Sequence, residues 1–156
     1  MKTDGKNFLP ISVNIAGKRI LIVGGGHVAL HKLKTLLLYT KDIAVLAPVH
    51  DPAIAETGAE SIVREFGPDD LDGVFLVYAC TNDRETNRRI AESAAAKGIL
   101  CNTADDPGLS EFISPAIYKK EYMSVSVSSG GADVKKSVQW RNRIREIIES
   151  DISRWD

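Results

Sequence analysis

The chain has 156 residues, 44% of them hydrophobic and 26% charged, and its formal net charge is −1. That is enough chain for one domain with a real core, and the near-neutral balance supplies no bulk field to recruit nucleic acid or an anionic membrane. Only two cysteines occur, no apolar run approaches a membrane span, and the start MKTDGKNF lacks the apolar core of a signal peptide, so the expectation is a soluble cytoplasmic protein with buried thiols and no disulfide framework.

In chain order, Gly17 gives the first turn signal, and Arg19–Val23 is a short apolar run with a β-branched bias that predicts a buried strand. From His27 to Tyr39 the apolar residues Val28, Leu30, Leu33, Leu36 and Leu37 fall near helical spacing. Ile43–Ala47 predicts a second strand, ended by Pro48, and Asp51–Thr57 a short helix. Ser61–Phe66 alternates like a strand until Gly67-Pro68 breaks it, and Gly73–Cys80 is apolar enough to be central. Asp83–Lys97 predicts a helix closed by Gly98, followed by a short strand at Ile99–Cys101 and a polar loop over Asn102–Ser110. Two more strands are expected around Phe112–Tyr118 and Tyr122–Ser128, then a charged helix over Asp133–Ser150. Strands alternating with helices predict a Rossmann-like, doubly wound, mainly parallel sheet over residues 1–112, with residues 113–156 as a C-terminal strand and helix extension. In such a sheet the binding crevice lies at the carboxyl ends of the strands.

The run Gly24-Gly25-Gly26-His27-Val28-Ala29 satisfies the G-x-G-x-x-A form of the dinucleotide fingerprint, and it stands between a predicted strand and a predicted helix. Gly24 permits the tight turn, Gly26 removes the Cβ that would block a pyrophosphate, and Ala29 lets the helix approach the sheet. The helix N terminus offers free N–H groups to the anion; a tight turn without a ligand is the alternative. The acid that usually binds the ribose is missing at the end of the second strand, where the sequence reads Leu46-Ala47-Pro48, and Asp51 follows as a candidate helix cap. No basic cluster for a 2′-phosphate appears, so the expected cofactor is NAD, held through the backbone at Ala47–Val49.

Four blocks then stand together: FLPISVNIAGKRILIVGGGHVALHK, ACTNDRETNRRI, CNTADDPGLSEFISPAI and SVSVSSGG. Their order and spacing, from Phe8 to Gly131, resemble the precorrin-2 dehydrogenase domain of siroheme synthases. The resemblance implies NAD-dependent oxidation of precorrin-2 to sirohydrochlorin, with ferrous iron as a further substrate in members that also act as ferrochelatases. It carries the family's key acid, in its CN-x-x-D loop, onto Asp105, and the nucleotide contacts onto Gly24, Gly26, His27, Val28, Pro48, Val49 and Thr81. By topology the loop after the fifth strand emerges on the same sheet edge as the glycine turn. A carboxylate there can accept the pyrrole N–H proton as hydride leaves the macrocycle. The adjacent Asp106 is easily confused with Asp105, and Asp105-Asp106-Pro107 also reads as a turn with an Asx hydrogen bond.

Other features divide between site and scaffold. Ser128, Ser129 and Gly130 precede a helix and are candidates for binding substrate carboxylates through N–H groups, or form a plain loop. His27 either donates to phosphate or is an exposed helix start. Asn87 matches the family pattern, and the sequence supplies no role for it. Three scattered histidines and two apolar cysteines lack metal-ligand spacing, so no bound metal is expected. The basic residues of the last quarter suit a substrate with eight carboxylates or a solvated helix face. The resemblance departs after SSGG, where Ala132-Asp133 replaces the family's Ser-Pro. The chain ends at Asp156, whereas family members continue through a helical dimerisation region. The last helix, with Val138, Trp140, Ile144, Ile147, Ile148 and Ile152, is then either a minimal homodimer element or packing for its own sheet, and exposure of Trp140 and Trp155 would favour a partner. The alternatives to a dehydrogenase are a sirohydrochlorin ferrochelatase, an NAD-sensing regulatory domain, and a homologue that binds tetrapyrrole without turnover.

Overall fold

The computed structural model describes residues 5–150, which form two compact units: residues 11–112, and residues 5–10 together with 113–150. In the first unit, short apolar segments form five strands: β1 (Arg19–Val23), β2 (Ile43–Leu46), β3 (Glu60–Ile62), β4 (Val74–Ala79) and β5 (Leu100–Thr103). All pair in parallel in the order β3-β2-β1-β4-β5. The connections carry α1 (His27–Leu36), α2 (Pro52–Glu56) and α3 (Arg84–Ala96). This is the doubly wound sheet that the alternation of elements predicts.

Side chains alternate across the pleat, so each strand feeds two cores. Ile20 and Ile22 face one layer with Ala29, Leu30 and Leu33 of α1, while Leu21 and Val23 face the other with Ile90, Ala91 and Ala94 of α3. Each fully buried Leu or Ile contributes roughly 1.5–3 kcal/mol of transfer free energy. Both cysteines are buried free thiols, Cys80 in the first layer and Cys101 in the second. Burial pushes the Cys80 thiol up to about 11 and the Cys101 thiol up to about 12.

The register brings the carboxyl ends of the strands level. Val23 pairs with Leu46 on one side and Ala79 on the other, and Ala79 pairs with Thr103. Backbone bonds continue one residue further: Gly24 N–H donates to Leu46 O at 2.9 Å, Cys80 N–H to Val23 O at 2.7 Å, and Ala104 N–H to Ala79 O at 3.0 Å. The glycine turn and the loops after β2, β4 and β5 therefore leave one edge together.

Several boundaries differ from the sequence expectation. The third strand stops at Ile62, four residues before Phe66, where its pairing with β2 ends at Leu46; beyond it the Arg64 guanidinium pairs with Asp70 at 2.8 Å. Asn102 and Thr103 belong to β5, not to the polar loop, because their buried side chains find partners: Asn102 Nδ2 donates to Phe112 O at 2.9 Å, and Thr103 Oγ1 donates to Asp106 O at 2.9 Å. The strand expected from Phe112 begins only at Ala116. Phe112 is held against β4, edge-on to the Tyr78 ring with centroids 5.2 Å apart, and Pro115 precedes the new start. Helix α1 ends at Leu36, and Leu37–Tyr39 tighten into a turn with Leu38 N–H donating to Thr35 O.

In the second unit, β6 (Ala116–Lys120) and β7 (Met123–Val127) form an antiparallel hairpin, and α4 (Val134–Ser150) packs on it. Arg141 Nη1 donates to Ile117 O at 2.8 Å, so part of the basic character of this segment serves its own packing. Trp140 is 58% exposed. Ile152 and Trp155 lie outside the described residues. Among the described residues, no helix is long and apolar enough to cross a membrane.

Candidate active site

The cleft opens where the strand order reverses, between β1 and β4, as open parallel sheets require. It encloses about 710 Å³ and is lined by the glycine turn, Ala47–Asp51 after β2, Glu65 and Phe66 after β3, and Cys80–Asp83 after β4, with Thr86 and Arg89 from α3. Gly24, Gly26, Pro48, Val49 and Thr81 all line it. His27 and Val28 do not; they start α1 with exposed side chains, and only their backbone N–H groups belong to the turn.

The three glycines do different work. Gly24 has φ +132°, and a Cβ there would lie 2.4 Å from Cys80 O. At Gly25 a Cβ would lie 1.9 Å from Val49 O and 2.9 Å from Ala47 Cβ, while its carbonyl accepts from Asp51 N–H at 2.6 Å. Gly25 is thus clamped by the β2–α2 loop, a constraint that the fingerprint does not express. Above Gly26 there is open space, with nothing within 4 Å of a built Cβ. The N terminus of α1 carries no side-chain cap and no acid in its first turn. Its unpaired N–H groups and positive dipole end therefore suit an anion. Ala29 is fully buried, which keeps α1 against the sheet. The residues present fit a dinucleotide diphosphate.

Asp51 lines the cleft and caps α2, its Oδ1 accepting from Ala53 N–H at 2.9 Å. His50 lines the cleft and places Nε2 3.2 Å from Val45 O.

The two adjacent aspartates separate cleanly. Asp106 Oδ1 accepts from Gly108 N–H at 2.9 Å, an Asx turn that starts a single 3₁₀ turn at Pro107–Leu109. Asp105 is free of that duty. Its Oδ1 accepts from Asn87 Nδ2 at 3.0 Å, its Oδ2 lies 3.8 Å from Arg84 Nε, and its side chain is 30% exposed. A small hollow of about 60 Å³ beside it is lined by Arg84, Arg88, Asp105, Asp106 and Leu109. Thr81 Oγ1 donates to Asn87 Oδ1 at 2.7 Å, which ties the cleft wall to the same asparagine. Asn87 is the residue that sequence reasoning left without a role. Its high polarity on the inner face of a helix was the available signal.

Lys32 lies half-buried under the same strand ends, its Nζ 5.6 Å from the Tyr78 ring centroid, and burial lowers its amine below the usual lysine range. Ser128 and Ser129 are occupied locally: Gly130 N–H donates to Ser128 Oγ at 3.1 Å, and Asp133 N–H donates to Ser129 Oγ at 2.8 Å. Among the described residues, no group of three or more His, Cys, Asp and Glu is placed to hold a metal ion.

Fold and cleft together define the Rossmann-like dinucleotide-binding class. More particularly, residues 11–116 match the family described as "Putative NAD(P)-binding", and the chain belongs to that family. It is 37% identical to a siroheme synthase of Chromobacterium violaceum over 151 residues, covering 94% of this chain and 32% of the relative. It is 40% identical to siroheme synthase 3 of Aeromonas hydrophila over 129 residues, covering 80% and 28%. The chain thus spans about a third of the length of the curated relatives it matches. The solved structure named SirC, precorrin-2 dehydrogenase, superposes with a TM-score of 0.76 at 24% identity, over 92% of this chain and 70% of the other. That likeness establishes a shared fold.

Proposed function

We propose that this chain oxidises precorrin-2 to sirohydrochlorin with NAD as hydride acceptor. The observation that carries the reading is the pairing of an open glycine turn with a partly exposed carboxylate, Asp105, on one sheet edge, joined through Asn87 to Thr81 in the cleft wall. The likeness to siroheme synthases over most of the chain supports the substrate.

Gly24 and Gly26 admit the diphosphate to the α1 N terminus, where the N–H groups of His27 and Val28 help receive it. Pro48, Val49 and Thr81, which line the cleft, would hold the remainder of the dinucleotide. NAD fits better than NADP because residues 47–51, Ala-Pro-Val-His-Asp, offer no lysine or arginine to a 2′-phosphate. The bound nicotinamide supplies the two-electron acceptor. Oxidation removes a hydride from a ring carbon and a proton from a pyrrole nitrogen. Asp105 accepts that proton, and general-base help of this kind is worth about 10²–10⁴ in rate. Ferrous iron, a homodimer and a cytoplasmic location complete the proposal.

The test is anaerobic conversion of precorrin-2, generated in situ, followed by the visible spectrum of sirohydrochlorin. Product should form only with NAD, and Asp105→Ala should abolish it while binding NAD normally. No product from the parent protein with intact NAD binding would reject the dehydrogenase and leave an NAD-sensing or carrier role. An active Asp105→Ala protein would reject the general base.

A further inference from the structure

Asn87 is a polar side chain only 1% exposed, at the fourth position of α3. Its amide has two donors and two acceptor sites, and all four are used. Oδ1 accepts from Thr81 N–H at 3.1 Å and from Thr81 Oγ1 at 2.7 Å. Nδ2 donates to Thr81 O at 3.1 Å and to Asp105 Oδ1 at 3.0 Å. The orientation is unique, because a flipped amide would set N–H against the Thr81 N–H and oxygen against a carboxylate. Capping α3 does not require this residue. Asp83 performs that task, accepting from Glu85 N–H at 3.3 Å and Thr86 N–H at 3.1 Å. Nor does the β4–α3 turn need the bond to Asp105, since the other three bonds already hold Thr81. The fourth bond reaches 18 residues along the chain to the one carboxylate of the Asp105-Asp106 pair that no turn consumes.

We propose that Asn87 is a positioning residue that holds the Asp105 carboxylate in register with the cleft wall at Thr81, so that occupation of the cofactor site and orientation of the base are linked through one amide. With Oδ1 held by Asn87, Oδ2 is the oxygen left toward Arg84 and the small hollow, and it is the atom that takes the proton. The inference rests on the assignment of Asp105 as the base.

Two variants and one spectrum test it, all after the parent protein has been shown to convert precorrin-2; failure of the parent rejects the dehydrogenase and not the Asn87 contact. In the parent, the Asn87 side-chain amide resonance in a ¹H–¹⁵N spectrum should move when NAD is added, and it should move in Asp105→Ala protein without NAD. In Asn87→Ala, kcat should fall about 10–100-fold, more than the Kd for NAD rises, with KM for precorrin-2 within threefold of the parent. In Asn87→Asp, which keeps the shape of the side chain, two facing carboxylates share a proton, and the kcat–pH profile should acquire an ionisation that the parent lacks. The proposal is overturned by a kcat within twofold of the parent in Asn87→Ala, or by a loss that follows NAD affinity alone. If Asn87→Ala does not fold, an Asn87→Asp profile of unchanged shape, or an amide resonance indifferent to Asp105→Ala, overturns it equally.

Discussion

Replacing Gly25 and Gly26 singly by alanine separates two constraints that the fingerprint merges. At Gly25 the new Cβ would stand 1.9 Å from Val49 O, and that loop cannot retreat freely because Asp51 N–H is bonded to Gly25 O at 2.6 Å. Overpacking against a fixed backbone costs roughly 1–3 kcal/mol, and a contact this close belongs at the upper end. With an unfolding entropy of about 2.1 cal/mol/K per residue over 156 residues, 3 kcal/mol corresponds to a drop of roughly 9 °C in Tm. At Gly26 the Cβ meets nothing, and φ is −93°, a value open to any residue. Gly26→Ala should therefore melt at or slightly above the parent, because alanine restricts the unfolded chain by about 0.4–1 kcal/mol. Its effect should fall on the cofactor, whose diphosphate needs that open space, with a loss of at least tenfold in NAD affinity. The assay is a thermal melt without ligand beside an NAD titration of each protein. A Gly26→Ala protein that melts below Gly25→Ala, or that binds NAD as the parent does, refutes the division.

Asp106→Asn should keep near-parent turnover, since an asparagine oxygen can still accept from Gly108 N–H, whereas Asp105→Asn should lose at least a hundredfold; equal losses in a kcat comparison would show that the two acids are not separated as described. Asp70 is held below the usual carboxylate range, first by the Arg64 guanidinium and then by the Gly67 N–H. A group depressed in the folded state stabilises above its unfolded pKa, and that contribution fades as pH falls through the folded value. Asp70→Asn should thus melt below the parent at pH 7, with the gap closing below pH 4; a gap independent of pH would contradict the pairing. A thiol at about 11 is ionised only to about 10⁻³ at pH 8, against roughly a quarter for an unfolded cysteine. Alkylation of Cys80 and Cys101 by iodoacetamide should therefore be slower than in urea by at least 200-fold, and equal rates would show that the thiols are not buried.

The sequence by itself determined the parts whose causes are local. Val23, Gly24 and His27 mark a strand, a tight turn and a helix through propensity and spacing alone, and α3 is bounded by Asp83 and Gly98 through capping chemistry that spans a few residues. The alternation of strands and helices was enough for the doubly wound class. The tertiary structure decided what depends on residues far apart in the chain. Gly25 must be glycine because of Val49, 24 residues on, and only the packing of the β2 loop against the turn reveals it. Residue type alone does not separate Asp105 from Asp106, which only the resemblance singled out; the Asx bond to Gly108 and the amide of Asn87 give them different surroundings. The third strand ended at Ile62 because its pairing with β2 stops at Leu46, and the sixth began only at Ala116 because the Phe112 carbonyl is taken by Asn102. Asn87 gained a place only when folding closed the gap between Thr81 and Asp105, since a buried amide is understood by its four partners and not by its neighbours in the chain.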